Sequence, residues 1–262
     1  MGSITGLSAE KEQQYQERLL IKLSKRYAPY YAIEIRRAMR DYAKAFGSVG
    51  LQAEVMVNHG QRLNKILRRE YNAAFKLFGG RMIDSINKSY KKIELKREVP
   101  VTEAFERAQQ AWIAINASAK VTQIVGTTQK QAEGIINDSL EMAISQGLGE
   151  KETGRLVRKN IREVGGQLSI FRSRMISRTE GHAASQASQD GVARASELPM
   201  TKTWAASGGE RTRDTHNEAN GQTVNMNDSF KVGDDLLKHP GDPRGSAEEV
   251  INCRCVAIYG VR

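Results

Sequence analysis

Both cysteines of the 262-residue chain lie near its end and one residue apart, at Cys253 and Cys255. A disulfide between them would close a small strained ring and would cross-link no distant segments. Two of the four histidines, His216 and His239, lie in the residues that precede them. Thiolate and imidazole are typical ligands of structural zinc, which is bound by four ligands in a tetrahedron. These four side chains therefore predict a structural Zn²⁺ site.

Other assignments of the same residues are open at this point. Asp214 or Asp242 could replace one histidine as a ligand, and His239, which precedes a proline, could instead shape a turn. Residues two apart on a strand face the same side. Cys253 and Cys255 could therefore also be two half-buried thiols that pack in a small core.

The segment that carries these residues, 199–262, is rich in turn residues and poor in apolar ones. It predicts three short strands, at 201–205, 221–224 and 250–259. Because so little apolar surface cannot form a large core, a bound metal would compensate for it. We therefore expect a small α+β lobe built of short strands and loops around the zinc site.

Upstream of the lobe, apolar residues recur at spacings of three and four, which predicts an almost entirely helical chain. The predicted helices are 8–46, 51–78, 82–95, 101–119, 128–146, 151–164 and 171–198. Pro29 is expected to break or kink the first, and the pairs Gly79-Gly80 and Gly165-Gly166 to end two others. The fold class is therefore mainly α, with an elongated helical N-terminal region and a small α+β C-terminal lobe.

The net charge of +10 is concentrated in one part of the chain. Residues 1–100 contain 20 Lys and Arg against 10 Asp and Glu, whereas residues 101–262 contain 20 of each. We predict a basic helical region at 1–100, a second helical region at 101–198 and the metal-binding lobe at 199–262. Positive charge favours an acidic partner such as double-stranded DNA, since Lys and Arg contacts to phosphate release counterions. A solvated helix surface would have the same composition.

Two cysteines are too few for a disulfide scaffold, which indicates a reducing compartment. No apolar run is long enough for a transmembrane helix, and the N-terminus has no signal-peptide pattern. We therefore expect a protein made in the cytoplasm, with no membrane partner.

A series of C-terminal motifs resembles a known family. In order they are Ser-Arg-Thr-Glu at 177–180, Trp204, Arg-Thr-Arg-Asp-Thr-His at 211–216, Asn-Gly-Gln at 220–222, Phe230, Pro-Gly-Asp-Pro-Arg-Gly-Ser at 240–246 and Glu-Glu-Val-Ile-Asn-Cys-Arg-Cys at 248–255. This arrangement is similar to the Mu F-like head morphogenesis family, the minor head proteins of tailed bacteriophages. The resemblance covers roughly residues 150–260, and the closing Asn-Cys-Arg-Cys is its most specific element. Glu210 stands where many relatives carry an aspartate.

The resemblance implies a structural protein of the virion, located in the capsid interior or at the portal vertex. Such proteins associate with the portal protein, take part in head morphogenesis, and some act in genome binding or ejection. Scaffold or capsid proteins are further partners that the resemblance implies. It does not imply an enzyme. Some relatives are fused to toxin domains, but only seven residues follow Cys255 here.

An enzymatic alternative comes from a different class. Arg211 and Arg213 could hold a phosphate while His216 acts as general acid or base in a metal-assisted nuclease. No second acid–base partner is fixed by spacing and no nucleophile stands out. We therefore expect no catalytic residues.

Three polar residues of the last long helix are expected to have a structural role. Arg178 and Glu180 are two apart and cannot face each other, so each needs a separate partner. Because buried charges need partners, we expect Arg178, Thr179 and Glu180 to form a polar brace between the helices and the lobe. Trp112 and Trp204 are expected to be core anchors.

Overall fold

The structure, a computed structural model, describes residues 3–92 and 103–261. The long helices are α1 (Ala9–Ala45), α2 (Val49–Ala74), α3 (Gly80–Lys92), α4 (Glu103–Ser145) and α5 (Glu150–Ala195), and a π-helical turn at Phe75–Gly79 joins α2 to α3. The predicted fold class, mainly α with a small strand-containing C-terminal region, is confirmed. Residues 93–95 and 101–102 of two predicted helices lie outside the described residues. Within the described ranges, no helix combines the length and the apolar character that crossing a membrane requires.

Helices α4 and α5 are longer than predicted, and neither Pro29 nor the pair Gly165-Gly166 ends a helix. Helices α4 and α5 each replace two predicted helices. A Cβ added to Gly165 would lie 2.9 Å from Met39 Sδ, so this glycine allows α5 to pack closely against α1. Gly79 is buried, and a Cβ there would lie 3.7 Å from Val192. Pro29 lies inside α1, which continues to Ala45. Tertiary packing therefore overrides these local signals.

The chain forms two compact units, each assembled from separate segments. Unit 1 consists of Met1–Ser24, Glu70–Ala114 and Arg178–Arg262, and unit 2 consists of Lys25–Arg69 and Ile115–Ser177. The division into regions at residues 100 and 198 stays a prediction.

Unit 2 is helical and encloses a polar network as well as apolar side chains. Glu34 Oε1 lies 3.0 Å from His59 Nδ1 and accepts a hydrogen bond from Arg62 Nε at 2.8 Å. The other ring nitrogen of His59 lies 3.4 Å from Thr128 Oγ1, which accepts a hydrogen bond from Arg172 Nη1 at 3.0 Å. Burial lowers the pKa of Arg172 to about 10. Large apolar side chains of the same unit that are fully buried include Tyr31, Ile35, Met39, Leu63 and Leu67.

The helical part of unit 1 packs around aromatic side chains. The Trp112 ring lies 5.1 Å from that of Tyr71 and 5.4 Å from that of Phe75, measured between ring centroids. These distances fall in the range of favourable aromatic pairs. Trp112 is therefore a core anchor, as predicted, although it is only half-buried.

The lobe contains β1 (Met200–Ala205), α6 (Asp214–Glu218), β2 (Thr223–Asn225), β3 (Phe230–Val232), β4 (Asp235–Leu237), α7 (Ala247–Val250) and β5 (Val256–Val261). Strands β2, β1 and β5 form an antiparallel sheet in that order, and β3 pairs with β4. The first two predicted strands are confirmed. The third was predicted too long, since the segment divides into the end of α7, a turn and β5, and the β3–β4 pair was not predicted. The small core of the lobe contains Trp204, Ala219, Phe230, Val232, Leu237 and both cysteines.

Candidate metal centre

Three of the four predicted ligands lie together in the core of the lobe. The ligand atoms of His216, Cys253 and Cys255 are all within 4.8 Å of one another. His216 Nδ1 lies 3.2 Å from the sulfur of Cys255 and 3.9 Å from that of Cys253. Both cysteines are free thiols, and all three residues are buried.

A turn held from two sides brings the cysteines to this position. Asn252 has a left-handed φ of 58°, which asparagine tolerates better than most residues. Its backbone N–H donates to Thr179 Oγ1 at 3.1 Å, and Arg213 Nη2 donates to the carbonyl of Ile251 at 2.6 Å. The Cys253 N–H donates to the carbonyl of Val250 at 3.2 Å. The turn therefore reverses the chain at the end of α7 and directs both sulfurs inward.

His216 lies on the five-residue helix α6 and is fixed on both sides. Its ring packs edge-on against Trp204, with centroids 5.5 Å apart. Its Nε2 lies 2.8 Å from Glu249 Oε2, an ion-pair distance, although the ring N–H is not aligned for a good hydrogen bond. Thr215 Oγ1 donates to the same carboxylate oxygen at 3.0 Å. A carboxylate on the second ring nitrogen is the usual companion of a metal-binding histidine.

The pKa values of the three groups are coupled through these contacts. A hydrogen bond from Cys253 and then one from His216 lower the pKa of Cys255 to about 5, against the opposing effect of burial. The same sulfur–sulfur contact, together with burial, raises the pKa of Cys253 well above 9.0. Burial lowers the pKa of His216, but the hydrogen bond and charge of Cys255 outweigh burial and raise it. The arrangement therefore favours a thiolate at Cys255, the form of cysteine that binds metals.

The donor set and its spacing fit a zinc ion. With Zn–S of about 2.3 Å and Zn–N of about 2.0 Å in a tetrahedron, a nitrogen and a sulfur ligand lie roughly 3.5 Å apart. The two nitrogen–sulfur distances, 3.2 and 3.9 Å, fall on either side of that value. Small shifts of these side chains would therefore accommodate the ion.

The remaining candidates lie outside this group of ligand atoms. His239 is buried, and its Nδ1 donates to the carbonyl of Pro240 at 3.0 Å, so it shapes the turn that its proline suggested. Asp242 accepts hydrogen bonds from the backbone N–H groups of Lys238 and Arg244 at 2.8 and 3.1 Å, and thereby closes the same turn. Asp214 is exposed at the start of α6. The described residues thus supply three ligands, where four were predicted.

His182, which no sequence pattern indicated, lies directly behind the cysteines. It is buried on α5, and its Nε2 donates to the carbonyl of Cys255 at 2.8 Å. Burial lowers its pKa to about 4, so its ring is neutral at pH 7. A Cβ added to Gly241, whose φ is 69°, would lie 2.5 Å from His182 Nδ1. Only glycine therefore fits at that point of the Pro-Gly-Asp-Pro turn.

Of the predicted polar brace between the helices and the lobe, Thr179 makes the expected contact, whereas the contact of Glu180 joins α5 to α2. Thr179 binds the Asn252 turn of the lobe, and Glu180 Oε2 accepts a hydrogen bond from the hydroxyl of Tyr71 on α2 at 2.5 Å. Arg178 instead lines a cleft beside His216.

Comparison with known proteins finds similarity in the C-terminal half of the chain. Residues 134–258, which span the end of α4, all of α5 and nearly all of the lobe, match the family described as Phage Mu protein F like protein. This region of the chain is therefore similar to the Mu F-like family. The chain is also similar to the "Minor head protein GP7" of Bacillus phage SPP1, with 32% identity over 168 residues, 62% of this chain and 50% of that protein.

A second similar protein has a name of a different class. The "NAD(+)--arginine ADP-ribosyltransferase EFV" of Enterococcus faecalis (strain ATCC 700802 / V583) is 37% identical over 86 residues, 32% of this chain and 18% of that protein. The chain therefore spans half the length of the SPP1 protein and less than a fifth of EFV. No solved structure gives a significant match.

Proposed function

We propose that this Mu F-like chain is a structural minor head protein of a tailed phage, carried in the virion and bound to the portal protein. Similarity to the SPP1 minor head protein supports the head role. The burial of the cluster carries the structural assignment, since Cys253, Cys255 and His216 are only 2%, 0% and 2% exposed. A site that turns over substrate needs access, whereas a closed site contributes folding free energy.

In this proposal the lobe is stabilised by Zn²⁺ held by Cys253, Cys255 and His216. Binding of the ion supplies folding free energy to a segment whose apolar core is small. Glu249 holds the histidine ring, and the Asn252 turn holds the cysteines. Elemental analysis of the purified protein for zinc is the direct measurement.

The basic N-terminal region is proposed to contact an acidic surface, either the portal or packaged DNA. In the part of α1 that belongs to unit 2, the two acidic residues are Glu34 and Asp41. Both lie within ion-pair distance of Arg62, at 2.8 and 4.0 Å. The exposed basic residues of the same part of α1 are Lys25, Arg26, Arg36, Arg37, Arg40 and Lys44. This helix surface is therefore strongly positive, as phosphate binding requires.

Portal association is tested by co-expressing the chain with the portal protein of the same phage. We expect the chain to co-purify with the portal ring and to be present in purified virions by mass spectrometry. A portal ring without the chain, together with virions that lack it, would contradict the head role.

DNA binding is tested by filter binding of duplex DNA over a series of salt concentrations. Replacing Arg36, Arg37 and Arg40 by glutamine should lower affinity and reduce the log–log salt slope by about 3, roughly one per lost phosphate contact. The matched control replaces the exposed residues Lys151, Arg155 and Lys159 of α5 by glutamine. Equal binding by both triple variants would remove DNA from the proposal and leave the portal as the acidic partner.

A metal-assisted nuclease is the second candidate, because three ligands leave one coordination position, as catalytic zinc sites do. We expect no nicking of plasmid DNA by the zinc-loaded protein. Nicking by the wild-type chain that disappears in His216→Ala, while zinc-loaded Arg162→Gln retains it, would replace the structural proposal.

A further inference from the structure

The arginine that separates the two cysteines faces away from them, into a cleft of unit 1. The cleft has a volume of about 610 Å³ and is lined by Arg178, Arg211, Arg213 and Arg254, with His216 at its inner wall. Two carboxylates, those of Glu17 and Glu210, are also in the lining. The arginine side chains therefore outnumber the acidic ones by two.

Two of the arginines are held in place by the protein. Arg213 donates to the carbonyl of Ile251 at 2.6 Å, and Arg254 Nη1 lies 3.3 Å from Glu17 Oε1. This second pair is about one-third exposed on both sides and contributes little stability. These contacts fix the guanidinium groups without fully neutralising them.

The other two arginines, Arg178 and Arg211, donate no hydrogen bond to any residue of the described ranges. Burial and then the charge of Arg254 lower the pKa of Arg178; Glu17 opposes them, and the charge of Arg211 lowers the pKa slightly further. Like charges collected in a half-buried cleft are costly unless an anion joins them. The guanidinium groups are thus arranged around an anion that the protein itself does not supply.

The loop opposite these arginines is shaped by two consecutive glycines. Gly208 and Gly209 have φ values of 69° and 82°, and no atom lies within 4 Å of a Cβ added to either. Thr212 ties the loop down, since its Oγ1 donates to the Gly208 carbonyl at 2.7 Å and its N–H donates to the Gly209 carbonyl at 3.0 Å. The backbone of the loop is therefore open toward the cleft and ordered.

We propose that this cleft binds a phosphate group. Guanidinium forks match phosphate oxygens in geometry and charge. Among the residues that the structure describes, no Phe, Tyr or Trp lines the cleft, so these residues offer no platform for stacking a base. The phosphate comes either from the backbone of a nucleic acid or from a small phosphate, and the two sources share the same recognition chemistry. The site is separate from the basic surface of α1 and does not depend on the proposed head role.

The proposal is tested with Arg178→Gln/Arg211→Gln, which removes the two arginines that hold no hydrogen bond and therefore should fold normally. Arg162→Gln/Arg174→Gln is the matched control, because both residues are exposed on α5 outside the cleft. The probes are inorganic phosphate, pyrophosphate and a short DNA duplex, and binding is measured by calorimetry and by filter binding.

A nucleic-acid source predicts that the cleft variant binds duplex DNA at least tenfold more weakly than the control, with a salt slope smaller by about 2. A small-phosphate source predicts loss of phosphate and pyrophosphate binding with DNA binding unchanged. If the cleft variant and the control bind all three probes equally, the proposal is wrong. It is also wrong if the cleft variant loses binding only to a poly-glutamate peptide, since the cleft would then recognise carboxylates.

A second measurement uses the wild-type protein and does not depend on how the variants fold. Phenylglyoxal modifies accessible guanidinium groups, and mass spectrometry reports each modified arginine. Phosphate or duplex DNA should slow modification of Arg178 and Arg211 but not of Arg162. Equal modification rates with and without both probes would overturn the assignment.

Discussion

Two buried histidines of this protein, His59 and His216, each have a glutamate carboxylate beside one ring nitrogen. They differ in the group that lies beside the other ring nitrogen. His59 of unit 2 has Glu34 beside Nδ1 at 3.0 Å, and His216 of the lobe has Glu249 beside Nε2 at 2.8 Å. On the other nitrogen, His59 faces the hydroxyl of Thr128, whereas His216 faces two sulfurs.

The difference lies in what each second partner can satisfy. A hydroxyl both donates and accepts, and Thr128 also donates to the carbonyl of Ile124 at 2.7 Å. The His59 network can therefore be completed by protein groups alone. Thiols are weak donors and acceptors, and a buried thiolate requires a cation. The same kind of histidine–carboxylate pair thus belongs to a polar network in unit 2 and to the candidate metal site in the lobe.

The largest expected effect is the loss of zinc binding, which should destabilise the lobe and leave unit 2 unchanged. Cys255→Ser should abolish zinc binding and destabilise the lobe by about 5 kcal/mol or more, because metal binding is folding free energy in small metal lobes. Removing zinc from the wild type with a chelator should have the same effect. Zinc content by elemental analysis and thermal unfolding by circular dichroism measure both changes.

His239→Gln is the control for the ligand set. It should retain zinc, since His239 lies outside the group of ligand atoms. If Cys255→Ser unfolds at the wild-type temperature and neither protein contains metal, the two cysteines are packing residues only.

The next effect concerns the region that needs no metal. Glu34→Gln should destabilise unit 2 by about 3 kcal/mol, because it leaves the buried ring of His59 and the half-buried guanidinium of Arg62 without their carboxylate partner. Burial raises the pKa of Glu34, but hydrogen bonds from His59 and Arg62 outweigh burial and lower it below 4.5. The stability that this carboxylate contributes is therefore present above pH 4.5 and is lost as the pH falls through the lowered pKa.

Denaturant unfolding at several pH values checks both expectations. Glu54→Gln, a change of the same type at an exposed position of α2, should be nearly neutral. Chelation should not alter the difference between the two variants. A Glu34→Gln protein as stable as Glu54→Gln would show that the His59 network contributes little.

The contrast between the His216 cluster and the His59 network also separates what the sequence could predict from what it could not. The cysteine pair and His216 were expected to lie together because few residue types bind metals, and the structure places their ligand atoms within 4.8 Å of one another. That they bind a metal stays a prediction. Thr179 was assigned to the brace because a polar residue within a helix that becomes buried needs a partner. Chemistry that is rare and local is therefore predictable.

The parts that failed depend on contacts between distant segments. Gly165 looked like a helix terminator, whereas it allows α5 to approach Met39. Ile144 continues an apolar pattern but is 81% exposed. Glu249 and His182 act through partners 33 and 73 residues away, Glu249 at His216 and His182 at Cys255. No periodicity or spacing of the sequence encodes such partners.

The smallest expected effect tests whether the carboxylate of the metal site is only an orienting group. Glu249→Gln should leave the lobe folded and weaken zinc binding by roughly 10–100-fold, the usual effect of removing the carboxylate partner of a histidine ligand. The neighbouring, exposed Glu248→Gln is the matched control. Competition with a chromophoric chelator measures both affinities.

The position of the carboxylate adds a second way to disturb it. A Cβ added to Gly233 would lie 2.7 Å from Glu249 Oε1, so Gly233→Ala should displace the carboxylate without changing its charge. If the ring of His216 must be held in place, Gly233→Ala should lower zinc affinity in the same direction as Glu249→Gln. If neither change alters zinc affinity relative to Glu248→Gln, His216 is positioned by Trp204 and helix α6 alone. His216 and His59 would then share only a similar distance between ring nitrogen and carboxylate.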